Sequence, residues 1–222
     1  AEHLIIDGDS DDSTLEIIQQ YSHLKYISEP DNGQSDAINK GLKMVSGDIV
    51  AWQNADDIYF PDCFEKVAQF FINNPDVDML YGYYKRIDVS GNDISEVYST
   101  DFKPWKLKYA RFIPVQPCVF FRREVFDKVG YLNEDLHYCM DVDLYCRIAR
   151  KFKIARLPAF LGAFRVHDES KTQNKDNYGA VKQELLQVLD KHYGYNFIDR
   201  LIFEVMQTRS QLATVIKDQI LS

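Results

Sequence analysis

Apolar positions come in short blocks along the first half of this chain, and the spacing inside each block predicts its element. Leu4-Ile5-Ile6 reads as a buried strand, closed by the polar turn Asp7-Gly8-Asp9-Ser10-Asp11-Asp12-Ser13. A helix is expected from about Thr14 to Tyr21, a second strand at Tyr26-Ile27, and a loop over Glu29-Pro30-Asp31-Asn32-Gly33. Ala37, Ile38, Gly41 and Leu42 recur at helical spacing between Ser35 and Met44, and Ser46-Gly47 ends that helix. Asp48 to Trp52 is then a third apolar run of strand length.

The second half changes character. Phe64, Val67, Ala68 and Phe71 form one face of an amphipathic helix behind Pro61, stopped by Asn73-Asn74-Pro75. Val77 to Val89 and Ile94 to Tyr98 flank Ser90-Gly91-Asn92 and predict an antiparallel hairpin, whereas the earlier strands are expected to be parallel. Further on, Val119 to Phe121 is a strand, Arg123 to Val129 and Asp141 to Phe152 are helices, and Phe160 to Val166 is the last strand. Tyr178 to His192 and Phe197 to Leu221 are helical patterns with no strand between them. The expected organisation is an α/β domain over residues 1–170 and a C-terminal helical appendage over 171–222.

Composition narrows the function classes. A chain of 222 residues can bury a sizeable core, and 45% apolar with 27% charged residues is an ordinary globular balance. A net charge of −8 argues against nucleic acid as the main partner, but leaves room for a phosphate-bearing small molecule held through a metal. Cys63, Cys118, Cys139 and Cys146 show neither zinc spacing nor a disulfide framework, so free core thiols in a reducing compartment are expected. No apolar run reaches the about 20 residues of a membrane span, and no signal peptide is expected. A cytoplasmic location is expected, extending to the inner face of a membrane.

The most informative chemistry lies in Asp48-Ile49-Val50-Ala51-Trp52-Gln53-Asn54-Ala55-Asp56-Asp57. Two carboxylates at the carboxyl end of a buried strand sit where open α/β sheets place ligands. Adjacent like charges repel, so a divalent cation is a natural partner. A polar turn whose Asp caps the helix behind Pro61-Asp62 is the bland alternative. Asp7-x-Asp9-x-Asp11 invites two other readings. As a calcium loop it fails, with Asp12 at position six and Ile18 at position twelve. As the nucleophile loop of a haloacid-dehalogenase-type phosphatase it has Asp11 where Thr or Val is wanted.

Six blocks in order resemble family 2 glycosyltransferases. They are Ile5-Ile6-Asp7-Gly8; Glu29-Pro30-Asp31 through Gly33-Gln34-Ser35-Asp36-Ala37-Ile38-Asn39-Lys40-Gly41; and Gly47-Asp48-Ile49 with Asn54-x-Asp56-Asp57. The later ones are Phe120-Phe121-Arg122-Arg123 to Val129-Gly130, Asp141-x-Asp143-Leu144, and Phe164-Arg165-Val166-His167. The resemblance covers roughly residues 3 to 170 and implies a GT-A-type mixed sheet flanked by helices. It implies an inverting hexosyltransferase-type enzyme that moves a sugar from a nucleoside diphosphate sugar, UDP by resemblance only, to a carbohydrate or lipid-linked acceptor.

Site roles follow from the same resemblance. Asp56 and Asp57 match the contacts to Mg²⁺ or Mn²⁺, with Asn54 standing where an Asp is common. Asp7, Asp36, Asp56, Arg165 and His167 match donor-binding positions, Asp7 at the nucleoside base. Asp9 and Asp11 are expected only as caps. Asp141 matches the catalytic base, preceded by Met140 where Glu is frequent, and Gln116-Pro117 is placed on the acceptor side. An acid at a helix N-terminus has its pKa lowered unless burial offsets the dipole.

Two expectations concern the ends of the chain. The family's first strand has no counterpart before Ala1, so a slot beside His3 to Ile6 and the Ile49-Val50 strand is expected to be empty or filled by a substitute. A catalytically impaired nucleotide-sugar-binding module, or an assembly subunit, is the alternative reading. Leu185, Leu186, Leu189, Ile202, Val205, Met206 and Leu212 are expected to pack against the catalytic domain or a second copy, giving a homo-oligomer.

Overall fold

The structure, a computed structural model, describes residues 1–167, 171 and 175–220, with side chains described as far as residue 208. The chain opens with β1 (Leu4–Asp7), α1 (Thr14–Ile18), β2 (Lys25–Ser28) and α2 (Gln34–Met44). There follow β3 (Ile49–Val50), β4 (Ile58–Tyr59), α3 (Cys63–Asn73), β5 (Met79–Ile87) and β6 (Asp93–Val97). Next come α4 (Pro104–Lys108), β7 (Val119–Arg122), α5 (Glu124–Val129), α6 (Met140–Ile148) and β8 (Ile154–Arg165). Helices α7 (Tyr178–Tyr193) and α8 (Phe197–Ile220) complete it. Leu221, expected to end the last helix, lies outside the described residues.

Two sheets form. β1 and β2 pair in parallel with Ile5 opposite Tyr26, as a two-stranded unit against α2. The other six strands make a mixed sheet ordered β3-β7-β5-β8-β4, with β6 also on β5. β5 is the organising strand. It runs parallel to β8, and its other edge is divided between β7 at Met79–Tyr81 and β6 at Tyr84–Ile87. Among the described residues no strand bonds to the second edge of β1 or of β3.

Burial follows the two-residue period of a strand. On β5, Met79 and Tyr81 enter one core and Leu80 the other; on β7, Val119 and Phe121 oppose Phe120 in the same way. Both faces of this sheet are therefore covered. Val67 and Phe71 of α3 seal one side; Val125, Tyr145 and Ile148 of α5 and α6 seal the other. α7 and α8 join that second core through Val188, Leu189 and Phe203, each worth about 1.5–3 kcal/mol of burial. Leu185 and Leu186 pack against it, Ile202 and Met206 are half-buried, and Val205 is exposed. The Leu212 side chain lies outside the described residues. All four cysteines are buried, free thiols. Among the described residues no helix is long and apolar enough to cross a membrane.

Several boundaries differ from the sequence reading for local reasons. β3 is only two residues long, because Trp52 leaves the ladder to stack on Phe121 with ring centroids 5.4 Å apart. β4 and α4 are too short to show a period. β8 begins at Ile154, six residues earlier than Phe160, across Pro158, which cannot donate to a ladder and so masks a strand. The strand tolerates it through a bulge, where the register with β5 jumps from Tyr81–Arg156 to Tyr83–Phe160. Gly82 lies beside that bulge; a Cβ there would come within 2.5 Å of the Leu161 side chain.

Candidate active site

The aspartate loop runs from β3 to β4, and its side chains are tied down by three other elements. Trp52 anchors its start, its carbonyl accepting the Gln116 amide and the Tyr59 hydroxyl. Asn54 takes a bond from Gln34 Nε2 at the start of α2 (3.0 Å) and passes one from its own Nδ2 to Asp57 (3.1 Å). Asp57 also accepts the Arg165 backbone N–H from the end of β8 (2.9 Å). Burial pushes the Asp57 carboxyl up to about 6; the Arg165 and Asn54 bonds pull the other way and the Asp56 charge adds to the rise.

Asp56 is more open. Its Oδ2 lies 2.9 Å from His167 Nε2, and its side chain keeps 38% of its surface in solvent. Arg165 gives its Nε to the Asp56 carbonyl (2.8 Å) and its Nη1 to the carbonyls of Asp88 and Val89. The fold thus brings Asp56, Asp57, Arg165 and His167 together from two distant segments. The guanidinium works here as a clamp between the aspartate loop and the β5–β6 turn.

Asp7 and Asp36 lie to the side, and their bonds stay local. Asp7 ends β1 buried, accepting the Ser10 hydroxyl (2.5 Å) and amide and the Ser28 hydroxyl (2.6 Å). The Ser10 hydroxyl, with Ser28 behind it, holds its carboxyl below the usual carboxylate range. Asp36 sits in the first turn of α2 and takes the Asn32 N–H (3.0 Å), with Lys40 one turn on. Gly33 precedes that turn at φ 115°, a conformation that favours glycine. Ser13 stands at the N-cap of α1 without a side-chain capping bond; Asp12 beside it accepts the Thr14 N–H (2.8 Å), and Asp9 and Asp11 are exposed.

Asp141 is the second residue of α6, and its Oδ1 accepts the Val142 N–H (2.7 Å). Burial wins over the helix N-terminus and pushes its carboxyl up to about 6, with Glu184 nearby adding to the rise. The loop before α6 is fastened to α2 by Asn39, which bonds both the carbonyl and the N–H of Leu132 and also Glu134. A small cleft runs between the two helix starts, lined by Gly33, Gln34, Ser35, His137 and Met140. Gln34 lines this cleft and bonds Asn54 of the aspartate loop, so the start of α2 links the loop to the cleft beside α6.

Sequence reading overlooked Gln34, Asn39 and Glu184. Asn39 had a signal, being polar on the apolar side of α2 next to Ile38 and Leu42. Glu184 had none, since an acid on an amphipathic helix reads as solvated.

Asp56 and Asp57 could contribute to holding a divalent ion that takes its remaining ligands from outside the protein. Among the described residues no cluster of three or more His, Cys, Asp or Glu could hold a metal by itself. Asp56 offers an open hard oxygen, and Mg²⁺-type sites commonly take one or two carboxylates and leave the rest to phosphates and water. Ser35 Oγ and both amide atoms of Gln53 are buried without a partner among the described residues, as polar atoms are where a ligand completes a site.

A mixed sheet flanked by helices, with an aspartate loop at its strand ends, defines a GT-A-type fold. A model described as glycosyl transferase family 2 matches residues 1–130, and the chain belongs to that family. An uncharacterised glycosyltransferase of Methanocaldococcus jannaschii is 28% identical over 198 residues, 82% of this chain and 64% of its own length. Staphylococcus aureus TarS 1-349 in complex with UDP-GlcNAc superposes with a TM-score of 0.65 at 15% identity, over 90% of this chain and 60% of that one. A Pyrobaculum calidifontis mannosyltransferase in complex with GDP-Man and Mn²⁺ gives 0.57 at 18% identity, over 86% and 53%. The chain therefore spans roughly three-fifths of the archaeal relative and of the S. aureus structure.

Proposed function

We propose that this chain catalyses inverting transfer of a sugar from a nucleoside diphosphate sugar to the hydroxyl of a carbohydrate or lipid-linked acceptor. The observation that carries the reading is Asp141, an acid at the start of α6 next to Met140, which lines the same cleft as Gln34, the partner of Asn54 in the aspartate loop; burial pushes its carboxyl up to about 6. A base with a pKa near the working pH removes a proton effectively. Asp141 takes the acceptor proton as the acceptor oxygen bonds to the anomeric carbon. The bond from that carbon to the diphosphate breaks, and its electron pair leaves on the phosphate oxygen.

Asp56 and Asp57 would hold Mg²⁺ or Mn²⁺, which supplies charge neutralisation on the departing diphosphate. His167 beside Asp56 keeps that carboxylate oriented, and Arg165 fixes the loop that carries it. Asp7 and Asp36 are assigned to the donor, Asp7 at the nucleoside base. UDP is the proposed nucleotide, supported by the UDP-GlcNAc bound to the S. aureus neighbour. Calorimetry with UDP and Mn²⁺, paired with UDP release from UDP-GlcNAc, tests the reading: Asp141→Asn is expected to keep binding and lose turnover. Equal turnover in both proteins would overturn it.

A further inference from the structure

The start of α6 lacks a cap of its own. Cys139 stands at the N-cap position and its side chain makes no capping bond. Glu184 of α7 fastens the approach to α6 from across the helix interface, taking the Cys139 N–H and those of the two residues before it. Its Oε1 accepts the N–H of Tyr138 (2.7 Å) and of Cys139 (2.7 Å), and its Oε2 accepts that of His137 (3.0 Å). Three consecutive amides thus converge on one carboxylate, immediately ahead of Met140 and Asp141. Charge-assisted bonds of this kind are the strong ones.

α7 has a second hold on the same helix. His192 Nε2 lies 2.8 Å from Asp143, and Arg150 reaches the His192 carbonyl. Glu184 and His192 are eight residues apart, about two turns of α7, so the helix grips α6 near its start and again through Asp143. Lys182 in turn bonds Glu204, which ties this part of α7 to α8 (2.6 Å).

We propose that Glu184 is the positioning residue for the Asp141 base, making α7 a working part of the site and not only a packed support. This rests on Asp141 acting as the base. Glu184 fixes the path of residues 137–139, and through them the direction in which Asp141 leaves the helix. Its negative charge also bears on the base. The titratable groups facing Asp141 are Glu184 from α7 and Cys139 and Tyr145 from its own segment, and Glu184 adds to the upward push of burial.

The test uses Glu184→Ala and Glu184→Gln in the intact chain, with aspartate-specific ¹³C labelling to follow the Asp141 carboxyl by NMR. UDP release from UDP-GlcNAc with Mn²⁺ is the activity probe. Glu184→Ala should lower kcat about 10- to 100-fold, the scale expected for a small displacement of a reacting group, with Kd for UDP within about twofold. Glu184→Gln keeps the oxygen that serves Tyr138 and Cys139, so it should restore most of kcat. Both variants should move the Asp141 titration downwards, and amides 137–139 should exchange faster in Glu184→Ala. Amide exchange decides the matter even if UDP-GlcNAc is not the right donor. Amides 137–139 that exchange at the wild-type rate in Glu184→Ala overturn the proposal, and so does wild-type kcat in that variant. Full turnover by Asp141→Asn would instead sink the base assignment, and amide exchange of residues 137–139 in Glu184→Ala would still report the contact.

Discussion

Asp141 and Asp143 stand two residues apart in the first turn of α6 and share one helix dipole, yet their carboxyls titrate in opposite directions. Burial pushes Asp141 up to about 6. Burial also pushes Asp143 up, but His192 and Arg147 outweigh it and hold that carboxyl at about 2. Arg147 is fixed in turn by the carbonyls of Val129 and Tyr131. Position along a helix therefore decides little. A nearby cation makes Asp143 a structural anion, and the absence of one from the charges that shape Asp141 leaves it ready to exchange a proton.

The largest expected effect separates the two by activity. Asp141→Asn should lower kcat by roughly 10²–10⁴, the usual contribution of a general base, while UDP affinity hardly changes. Measured UDP release at wild-type rates would erase the contrast.

The next effect has opposite signs at the two positions. Asp143→Asn leaves Arg147 and His192 without their buried anion and should cost about 3–5 kcal/mol in urea unfolding at pH 7. Asp141→Asn removes a burdened carboxylate and should stabilise by about 1–2 kcal/mol. The pH dependence follows the same logic. Asp143 has a lowered folded pKa, so its stabilisation is present above about pH 4 and is lost as pH falls towards about 2. Asp141 has a raised one, so the native state is favoured below about pH 4 and loses that advantage as pH rises through about 6. Unfolding curves at pH 3, 5 and 7 for each variant would show it, and parallel shifts would refute it.

A smaller effect is expected at Asp57, which shares the upward direction of Asp141 but faces Asp56. Asp57→Asn should weaken Mn²⁺-dependent UDP binding about 10- to 100-fold without unfolding the chain, and EDTA should bring wild type to the same level. Equal affinity by calorimetry, with and without Mn²⁺, would contradict the metal assignment.

The smallest effect belongs to α8, the counterpart of α7. Phe197, Ile198, Leu201 and Val205 are exposed on it, and self-association through that face is proposed. Leu201→Glu with Val205→Glu should abolish it in light scattering and leave kcat unchanged. A monomeric wild type would remove the proposal.

Legibility differed from residue to residue. The placing of Asp56 and Asp57 could be read because a short apolar run is followed by a polar loop at the end of a strand. Asp141 could be picked out by motif, but its titration could not, because dipole and burial oppose one another and only the enclosure of the site weighs them. Arg165 was expected at a donor-binding position; its Nε and Nη1 reach three backbone carbonyls, partners that leave no mark in side-chain chemistry. Pro158 hid the first half of β8, since a bulge that tolerates proline depends on what β5 does opposite it.

By itself the sequence determined the main alternation of strands and helices, the two-faced burial of β5 and β7, and the residue types of the aspartate loop. Those are local properties, set by side-chain period and by the groups a residue carries. Tertiary structure decided which partner each charge received. It separated β1–β2 from the main sheet, tied Gln34 to Asn54, gave Asp143 its cations, and set Glu184 against the amides ahead of Asp141. Such pairings join segments tens of residues apart, and their energies depend on distance and enclosure, which exist only once the chain has folded.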